Sequence, residues 1–567
     1  MARTTNERIV IVLLVGLGLL ATLWLRCLWL QVVAARHYTT MARAQQRFTG
    51  MLRAQRGAIV DTHGRPLAVS VLAPSVYANA RRVSGKAALA RQLADAVGRD
   101  AAMIQQRLER DKGFVWVARQ VDPSVGPVIL ALRDQPVGVM EEPRRVHPQG
   151  AIAEHVLGFT DVDGRGLEGM ELMLNGVLAG EDGWRATLRD ARGSQLIGPW
   201  TTETAPRDGH RVVLTIDSVV QAVAEEILTV GVTQYHAKGG SVIVMDPRSG
   251  RVLAMAVEPG FDPDAPGAAP TEARRNRAVT DLFEPGSIFK IIAASALLEE
   301  GRITRDDPIF CENGAYHTVG RHILHDHRPH GMLSFADVIM HSSNIGVAKA
   351  AQRLTPDELY RYARAFGIGQ RTGIDVPGEV NGLLHPPATW SKLSPFIIPI
   401  GQEVAVTPIQ MAVMMSVIAS GGLRAQPYLV ERIEDADGGV VRELERSAPV
   451  RALTRETAEL MQQLLVRVVG SGTGQLANVQ GLTVAGKTGT AQKLEPSGRY
   501  SHSRFVASFV GFGPVPDPQF VITVSLDEPR PQHFGGVVAA PLFKKIVEQL
   551  RGYWELERGP GRLVRAL

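Results

Sequence analysis

A chain of 567 residues is too long for one ordinary domain and has material for two or three hydrophobic cores. Its 62 Lys and Arg against 57 Asp and Glu leave a net charge of +5, but the two signs alternate along the chain. It lacks the basic block, zinc-finger spacing or aromatic-interleaved basic strand of a nucleic-acid binder. Two cysteines, Cys27 and Cys311, exclude a disulfide-stapled scaffold and leave the compartment open.

Residues 1–8 form a short tail. From Ile9 to Leu25 no residue is charged, and such a run as a helix spans roughly 25 Å, near the hydrocarbon thickness of a bilayer. Arg26 interrupts, and a second apolar stretch continues to Ala35. Trp24 and Trp29 sit where amphipathic rings favour the interface, so the predicted transmembrane helix is 9–35. Small residues at Ala34 and Ala35 offer the alternative of a cleaved signal peptide, against which the length of the run argues. Arg3 and Arg8 precede the run, whereas Arg26, Arg36, Arg43 and Arg47 follow it. Charge counting would keep the following chain inside, but long domains translocate largely regardless of charge, and orientation stays open here.

Residues 36–56, rich in Arg, Gln and Ala, read as a helical stalk. From 57 to 235, short strand-like runs mix with Gly-rich turns and no catalytic constellation appears, so 36–235 reads as a stalk and a non-catalytic interaction or spacing module. The character changes near residue 239. Ser241–Met245 and Val252–Val257 flank the turn-forming Asp246-Pro-Arg-Ser-Gly250, an antiparallel hairpin. A helix is predicted from about Ser287 to Glu300, stopped by Gly301, and further helices fill the span to 470. Strand candidates follow at Leu482–Ala491, Phe505–Gly511 and Phe520–Leu526, then a helix from about Pro541 to Arg551. Strands, helices and strands again predict an α/β fold of the α+β type, with an antiparallel sheet covered by helices in one large domain over 236–553. An Arg-rich tail, 554–567, closes the chain.

Three short patterns carry chemistry. In Glu284-Pro-Gly-Ser-Ile-Phe-Lys290, Pro285 and Gly286 place Ser287 near a helix start, and the i, i+3 spacing makes Ser287 and Lys290 neighbours. A serine needs a base to become nucleophilic, and a neutral lysine amine can serve. Taken alone, a solvated helix face explains the same spacing. Ser342-Ser-Asn344 lies between helical stretches 334–340 and 345–354. Helix capping is its bland reading; its functional reading makes Ser342 a proton relay and Asn344 an orienting group. Lys487-Thr-Gly-Thr490 sits in a strand. There Gly489 permits close backbone approach, and Thr488, Thr490 and Lys487 together suit a carboxylate.

The serine–lysine, Ser-Ser-Asn and Lys-Thr-Gly patterns in this order resemble the marks of penicillin-binding transpeptidases. Only ten lysines occur in the chain, and two fill the two required positions. The resemblance extends to Arg56-Gly-Ala-Ile-Val-Asp61, Gly64-Arg-Pro-Leu-Ala68, Gly164-Arg-Gly-Leu-Glu-Gly-Met-Glu171 and Leu214-Thr-Ile-Asp217. These look like the N-terminal module of class B penicillin-binding proteins. Thr372-Gly-Ile-Asp-Val-Pro-Gly378, Val406-Thr-Pro408 and Ala539-Ala-Pro541 resemble landmarks of the catalytic domain. Phe283-Glu-Pro-Gly-Ser287, with a Gly-Gly and Ala-Ala-Pro ending, is more similar to the division-specific FtsI type than to the elongation type. Departures are Ile288 where relatives carry a smaller residue, Gly401-Gln-Glu, and Asp61-Thr-His-Gly64.

The resemblance implies a single N-terminal transmembrane helix, a pedestal or dimerisation module, and a catalytic domain built on a five-stranded antiparallel sheet. It implies D,D-transpeptidation of peptidoglycan stem peptides ending in D-Ala-D-Ala, in septal wall synthesis, with covalent inhibition by β-lactams. Ser287 would be the nucleophile and Lys290 its base, with nearby cationic Lys487 one route to depressing its pKa; Ser342 would be the proton relay, and Asn344 would orient Lys290 or a substrate amide. Lys487, Thr488, Gly489 and Thr490 would hold the substrate. No cofactor or metal is called for; four histidines between His322 and His330 invite a zinc site but fall in a Pro- and Gly-containing loop. Implied partners are a polytopic SEDS-type glycan polymerase and other divisome membrane proteins, with the catalytic domain on the periplasmic side of the bacterial inner membrane. Rival readings are a hydrolase (D,D-carboxypeptidase or β-lactamase), against which Asn344 argues, and a β-lactam sensor or inactive scaffold. A sensor calls for a larger membrane or cytoplasmic portion than eight residues, and a scaffold would not need every motif residue intact.

Overall fold

The computed structural model describes residues 2–558 apart from 111, 133–134, 190–194, 197, 199–200 and 496. Two units form, one from residues 1–55 with 180–208 and one from 56–179 with 209–567.

In the first unit, the uncharged N-terminal run is a helix over Ala2–Leu28 that continues as a wider turn over Trp29–Val33. The span Asn6–Val33 is long and apolar enough to cross a membrane. A second helix covers only Ala35–Gln46, and Arg47–Leu52 is a strand paired antiparallel to Gly183–Arg189. The helical stalk expected over 36–56 is therefore cut short. Gly50 is a poor helix residue, and cross-strand pairing outweighs the helix propensity of its neighbours.

The second unit holds two large sheets beside several two-stranded ones. One has seven strands, to which Ile59–Val60, Pro66–Ala78, Val115–Ala118, Val137–Val146 and Arg211–Leu214 contribute. Val430–Glu434 and Val440–Glu443, from the region read as catalytic, complete it. The Arg-Gly and Gly-Arg-Gly-Leu-Glu-Gly-Met-Glu landmarks meet beside it. Glu171, fully buried, accepts from Arg56 Nε at 2.5 Å and Arg145 Nε at 2.6 Å.

The other is a five-stranded antiparallel sheet of β1 (Gly239–Met245), β2 (Val252–Glu258), β3 (Ala485–Leu494), β4 (Tyr500–Gly513) and β5 (Phe520–Asp527), in the order β2-β1-β5-β4-β3. Both faces are apolar because both are covered, which is why β1 is buried at every position. One face packs against α1 (Ser218–Gln234) and α2 (Ala540–Arg558) through Leu228, Phe509, Phe543 and Ile546. The boundary read at 235 thus falls just after a helix that packs on the five-stranded sheet. Of the tail read at 554–567, the first five residues belong to α2 and the rest lie outside the described residues. On the other face lie α3 (Lys290–Glu299) and α4 (Pro408–Ala419), the latter apolar all round and buried throughout. Thr407 opens α4 with a capping box to Gln410. Two short helices, α5 (Phe335–His341) and α6 (Asn344–Ala351), complete the frame around β3.

Candidate active site

Ser287 occupies a tight turn, Gly286–Ile288, that runs into α3. Gly286 has φ +52°, donates its N–H to Gly401 O at 3.2 Å, and faces β3 so closely that a Cβ there would stand 2.9 Å from Thr490 O. A Cβ on Gly401 would lie 2.1 Å from Gly286 O. Only glycine at both places lets the Ser287 turn wedge between these backbones. Ser287 is half-buried, and its hydroxyl makes no hydrogen bond among the described residues.

One turn on, Lys290 is fully buried, and its amine donates to Ser342 O at 2.6 Å, Asn344 Oδ1 at 2.7 Å and Ser342 Oγ at 3.2 Å. Lys487, also fully buried, reaches the same Ser342 Oγ at 2.9 Å. Burial pushes Lys290 down to about 7, against an opposing pull from Asp326. It pushes Lys487 well below the ordinary lysine range, and there the charge of Lys290 adds to the effect. The sequence offers the proximity of cationic Lys487 as one route to a depressed Lys290 pKa. Burial is the larger cause at both amines.

The Ser-Ser-Asn segment divides its labour. Ser342 caps α5 in the left-handed region (φ +60°), a costly conformation for a non-glycine, which turns its carbonyl onto Lys290. Ser343 is the ordinary N-cap of α6: its Oγ accepts from Gly346 N at 2.9 Å and donates to Asp326 Oδ2 at 2.5 Å. Asn344 is fixed from behind by donating to His325 O at 2.9 Å, which leaves Oδ1 for Lys290. Asp326 also accepts from Ile345 N at 3.0 Å, clamping the start of α6.

Along β3, Lys487 and Gly489 face α3. A Cβ on Gly489 would meet Ser508 Oγ at 2.4 Å and Ile288 Cδ1 at 2.8 Å, so the bulky Ile288 is accommodated by a glycine opposite. The threonine hydroxyls each have one protein partner already: Thr488 pairs with Thr473 Oγ1 at 2.9 Å, and Thr490 accepts from Gly535 N at 3.0 Å. Lys290, Ser342, Asn344 and Lys487 thus form one hydrogen-bonded network, bounded by Thr488, Gly489 and Thr490 and overlooked by Ser287.

Sequence reasoning missed Asp326, Thr473, Gly535 and Glu284. The run Gly470-Ser-Gly-Thr-Gly474 between a helix and a strand was a usable sign of Thr473. Glu284 accepts from Tyr500 OH at 2.9 Å and Glu403 N at 3.0 Å, and burial raises its carboxyl above the ordinary range. The histidine loop is spent on packing and scaffolding. His327 packs on Phe534 at 4.8 Å between ring centres and His330 on His341 at 5.1 Å; His322 meets Thr318 Oγ1. Among the described residues no three His, Cys, Asp or Glu side chains converge as metal ligands.

Residues 240–548 match the penicillin binding protein transpeptidase domain, and residues 51–214 the penicillin-binding protein dimerisation domain. A probable peptidoglycan D,D-transpeptidase, PenA of Neisseria gonorrhoeae, is 34% identical over 552 residues, covering 96% of this chain and 92% of its own. The peptidoglycan D,D-transpeptidase FtsI of Escherichia coli is 31% identical over 545 residues, covering 94% and 90%. Among solved structures, penicillin binding protein 3 of Mycobacterium tuberculosis, complexed with aztreonam, is similar at a TM-score of 0.70 and 30% identity, over 91% of this chain and 99% of that one.

Proposed function

Because the chain belongs to the penicillin-binding protein transpeptidase family, we propose that it cross-links peptidoglycan stem peptides ending in D-Ala-D-Ala through an acyl-enzyme on Ser287, and that β-lactams acylate the same serine. The observation that carries the reading is the pair of buried amines sharing the Ser342 hydroxyl, three residues along a helix from an unengaged serine.

Substrate binding sets the protons. The terminal carboxylate of the donor peptide rests on Thr488, Thr490 and Lys487, and an anion there favours the ammonium form of Lys487. That charge, shared across Ser342, disfavours a second proton on Lys290, leaving its amine neutral. Ser287 Oγ then attacks the carbonyl of the penultimate D-Ala while its proton passes to Lys290. The backbone N–H groups of Ser287 and Thr490 receive the developing oxyanion. As the C–N bond breaks, Ser342 passes its proton to the departing D-Ala amine and takes back the one held by Lys290. An amine of a second stem attacks the ester, yields the new amide and returns a proton to Ser287. Asn344 keeps Lys290 aimed throughout.

The helix at Asn6–Val33 anchors the chain by a single pass, with the catalytic unit on the periplasmic side. The FtsI-like opening around Ser287 supports a septal role, beside a SEDS-type glycan polymerase and other divisome membrane proteins.

Membranes holding the intact chain or its Ser287→Ala variant are labelled with a fluorescent penicillin and resolved on a denaturing gel. A covalent band that the variant lacks is expected; its absence from folded wild type across several penicillins overturns the reading. Incubation with a donor stem peptide and an added amine then separates transpeptidation from hydrolysis, and hydrolysis products alone would replace the first with the second.

A further inference from the structure

The dimerisation domain holds a cavity of about 670 Å³ between the helix Ala101–Glu109 and the strand Val115–Ala118, and no step of the proposed reaction uses it. Met103, Arg107 and Arg110 line it from the helix side, where spacings of four and three residues stack them on one face, and Arg99 precedes the helix. Phe114 and Trp116, two residues apart and so on one side of the extended chain, line it from the strand side.

Among the described residues, every ionisable side chain lining this cavity is cationic: Arg99, Arg107, Arg110, Lys112 and Arg119. Two of them are answered within the fold. Arg119 pairs with Glu142 at 2.7 Å and Asp163 at 2.9 Å, and Arg107 donates to Val117 O at 2.9 Å. Arg99, Arg110 and Lys112 are exposed and meet no carboxylate among the described residues. Two nearby acids are engaged elsewhere: Asp100 caps the helix at Ala102 N, and Glu109 accepts from Gln105. Asp111 lies outside the described residues. Like charges around one hollow repel, and a bound anion relieves that repulsion. The hollow also has a fixed apolar wall. Phe114 is 46% exposed, yet its ring is held by Tyr77, stacked at 5.1 Å, and by Trp116, edge to face at 4.9 Å. Arg119 in turn lies over Trp116 at 5.1 Å. A rigid exposed ring beside unpaired guanidinium groups has the make-up of a binding hot spot.

We propose that this cavity docks an acidic peptide segment of a partner protein, with carboxylates on Arg99, Arg110 and Lys112 and an apolar side chain against Phe114. Guanidinium forks match carboxylates oxygen for nitrogen. The volume admits a few side chains rather than a folded surface. A bilayer would meet cations on a convex face, whereas these surround a hollow. Arg107 holds the carbonyls of Trp116 and Val117 on the last strand of the sheet, which leaves recognition to side chains rather than to an added strand. Binding here needs no acylable serine and so stands apart from the transpeptidase reading.

The probe is a dye-labelled pentapeptide, Asp-Glu-Phe-Glu-Asp, followed by fluorescence anisotropy as the full chain in detergent is added, beside its uncharged counterpart Asn-Gln-Phe-Gln-Asn. The acidic peptide should bind saturably, about tenfold tighter than the uncharged one, and weaken severalfold between about 50 and about 300 mM salt. Exchanging its Phe for Gly should also weaken it severalfold, through loss of the contact with Phe114. Arg110→Gln with Lys112→Gln should weaken binding about tenfold. Arg361→Gln with Arg455→Gln removes the same charge from exposed helix surface and should leave it unchanged. The proposal is overturned if the acidic peptide does not bind saturably, or if the two double variants bind it equally. It is also overturned if glycerol phosphate displaces the peptide at equal concentration, which would make this a phosphate site.

Discussion

Asp326 makes no contact with Ser287 among the described residues, yet its negative charge holds up the proton affinity of Lys290. Replacing it by Asn keeps the shape. Oδ1 still accepts from Ile345 N, and Nδ2 donates to Ser343 Oγ where the carboxylate accepted. What is lost is the charge. An opposite charge in this range is worth about one pH unit or more to a buried amine. The sign follows from the proposed mechanism: there Lys290 acts as a base when neutral, so acylation should rise with pH through about 7. Without Asp326 the amine gives up its proton more readily and the acidic limb moves to lower pH. If the midpoint falls by about one unit, from 7 to 6, the neutral fraction at pH 6 rises from about a tenth to a half, an increase of about fivefold, and at pH 8 it barely changes.

The assay is the second-order rate of acylation by a chromogenic β-lactam from pH 5.5 to 9 for wild type and Asp326→Asn. The midpoint belongs to the linked pair of Lys290 and Lys487, but its direction of movement does not depend on that division. Loss of a carboxylate at the start of α6 also costs about 0.5–1 kcal/mol of local stability, which lowers the plateau without moving the limb. A limb that stays put, or moves to higher pH, refutes the electrostatic role and leaves Asp326 as a clamp.

Two further predictions concern stability. Burial, reinforced by the carboxylate of Glu154, raises the Glu225 carboxyl to about 8. Its folded pKa lies above its unfolded one, so the stability it contributes is full below the ordinary carboxylate range and declines as pH rises to about 8, by about 1.4 kcal/mol per unit at most. Glu225→Gln should therefore melt like wild type near pH 4.5 and progressively higher than wild type toward pH 8; parallel melting curves would show that the carboxyl is already ionised. Glu171→Ala strips the acceptor between Arg56 and Arg145 and leaves two guanidinium groups facing each other in the interior. A loss of about 3–5 kcal/mol is expected by denaturant titration, with penicillin labelling per folded molecule unchanged. A loss under 1 kcal/mol would mean that water reaches the pair.

The catalytic domain was more legible than the pedestal because its strands are buried on both faces. Ser241–Met245 and Phe520–Leu526 read as continuous apolar runs, and the register then follows from the hairpin at Asp246–Gly250. The chain near residue 47 was not legible, because Arg47–Leu52 is a strand only by virtue of Gly183–Arg189, far away in sequence. The site divides the same way. Ser287 and Lys290 sit on one helical turn, so spacing alone made them neighbours. Lys487 and Ser342 are 145 residues apart, and their contact exists only because β3 is the sheet edge facing α5 and α6. Asp326 lies inside a histidine-rich loop whose imidazoles draw the eye first. The loop's contribution to the site is instead one carboxylate and the carbonyl of His325. Local pattern identifies groups able to do chemistry. What it cannot supply is the burial that lowers the proton affinity of two lysine amines around one hydroxyl, a property of the closed fold around them.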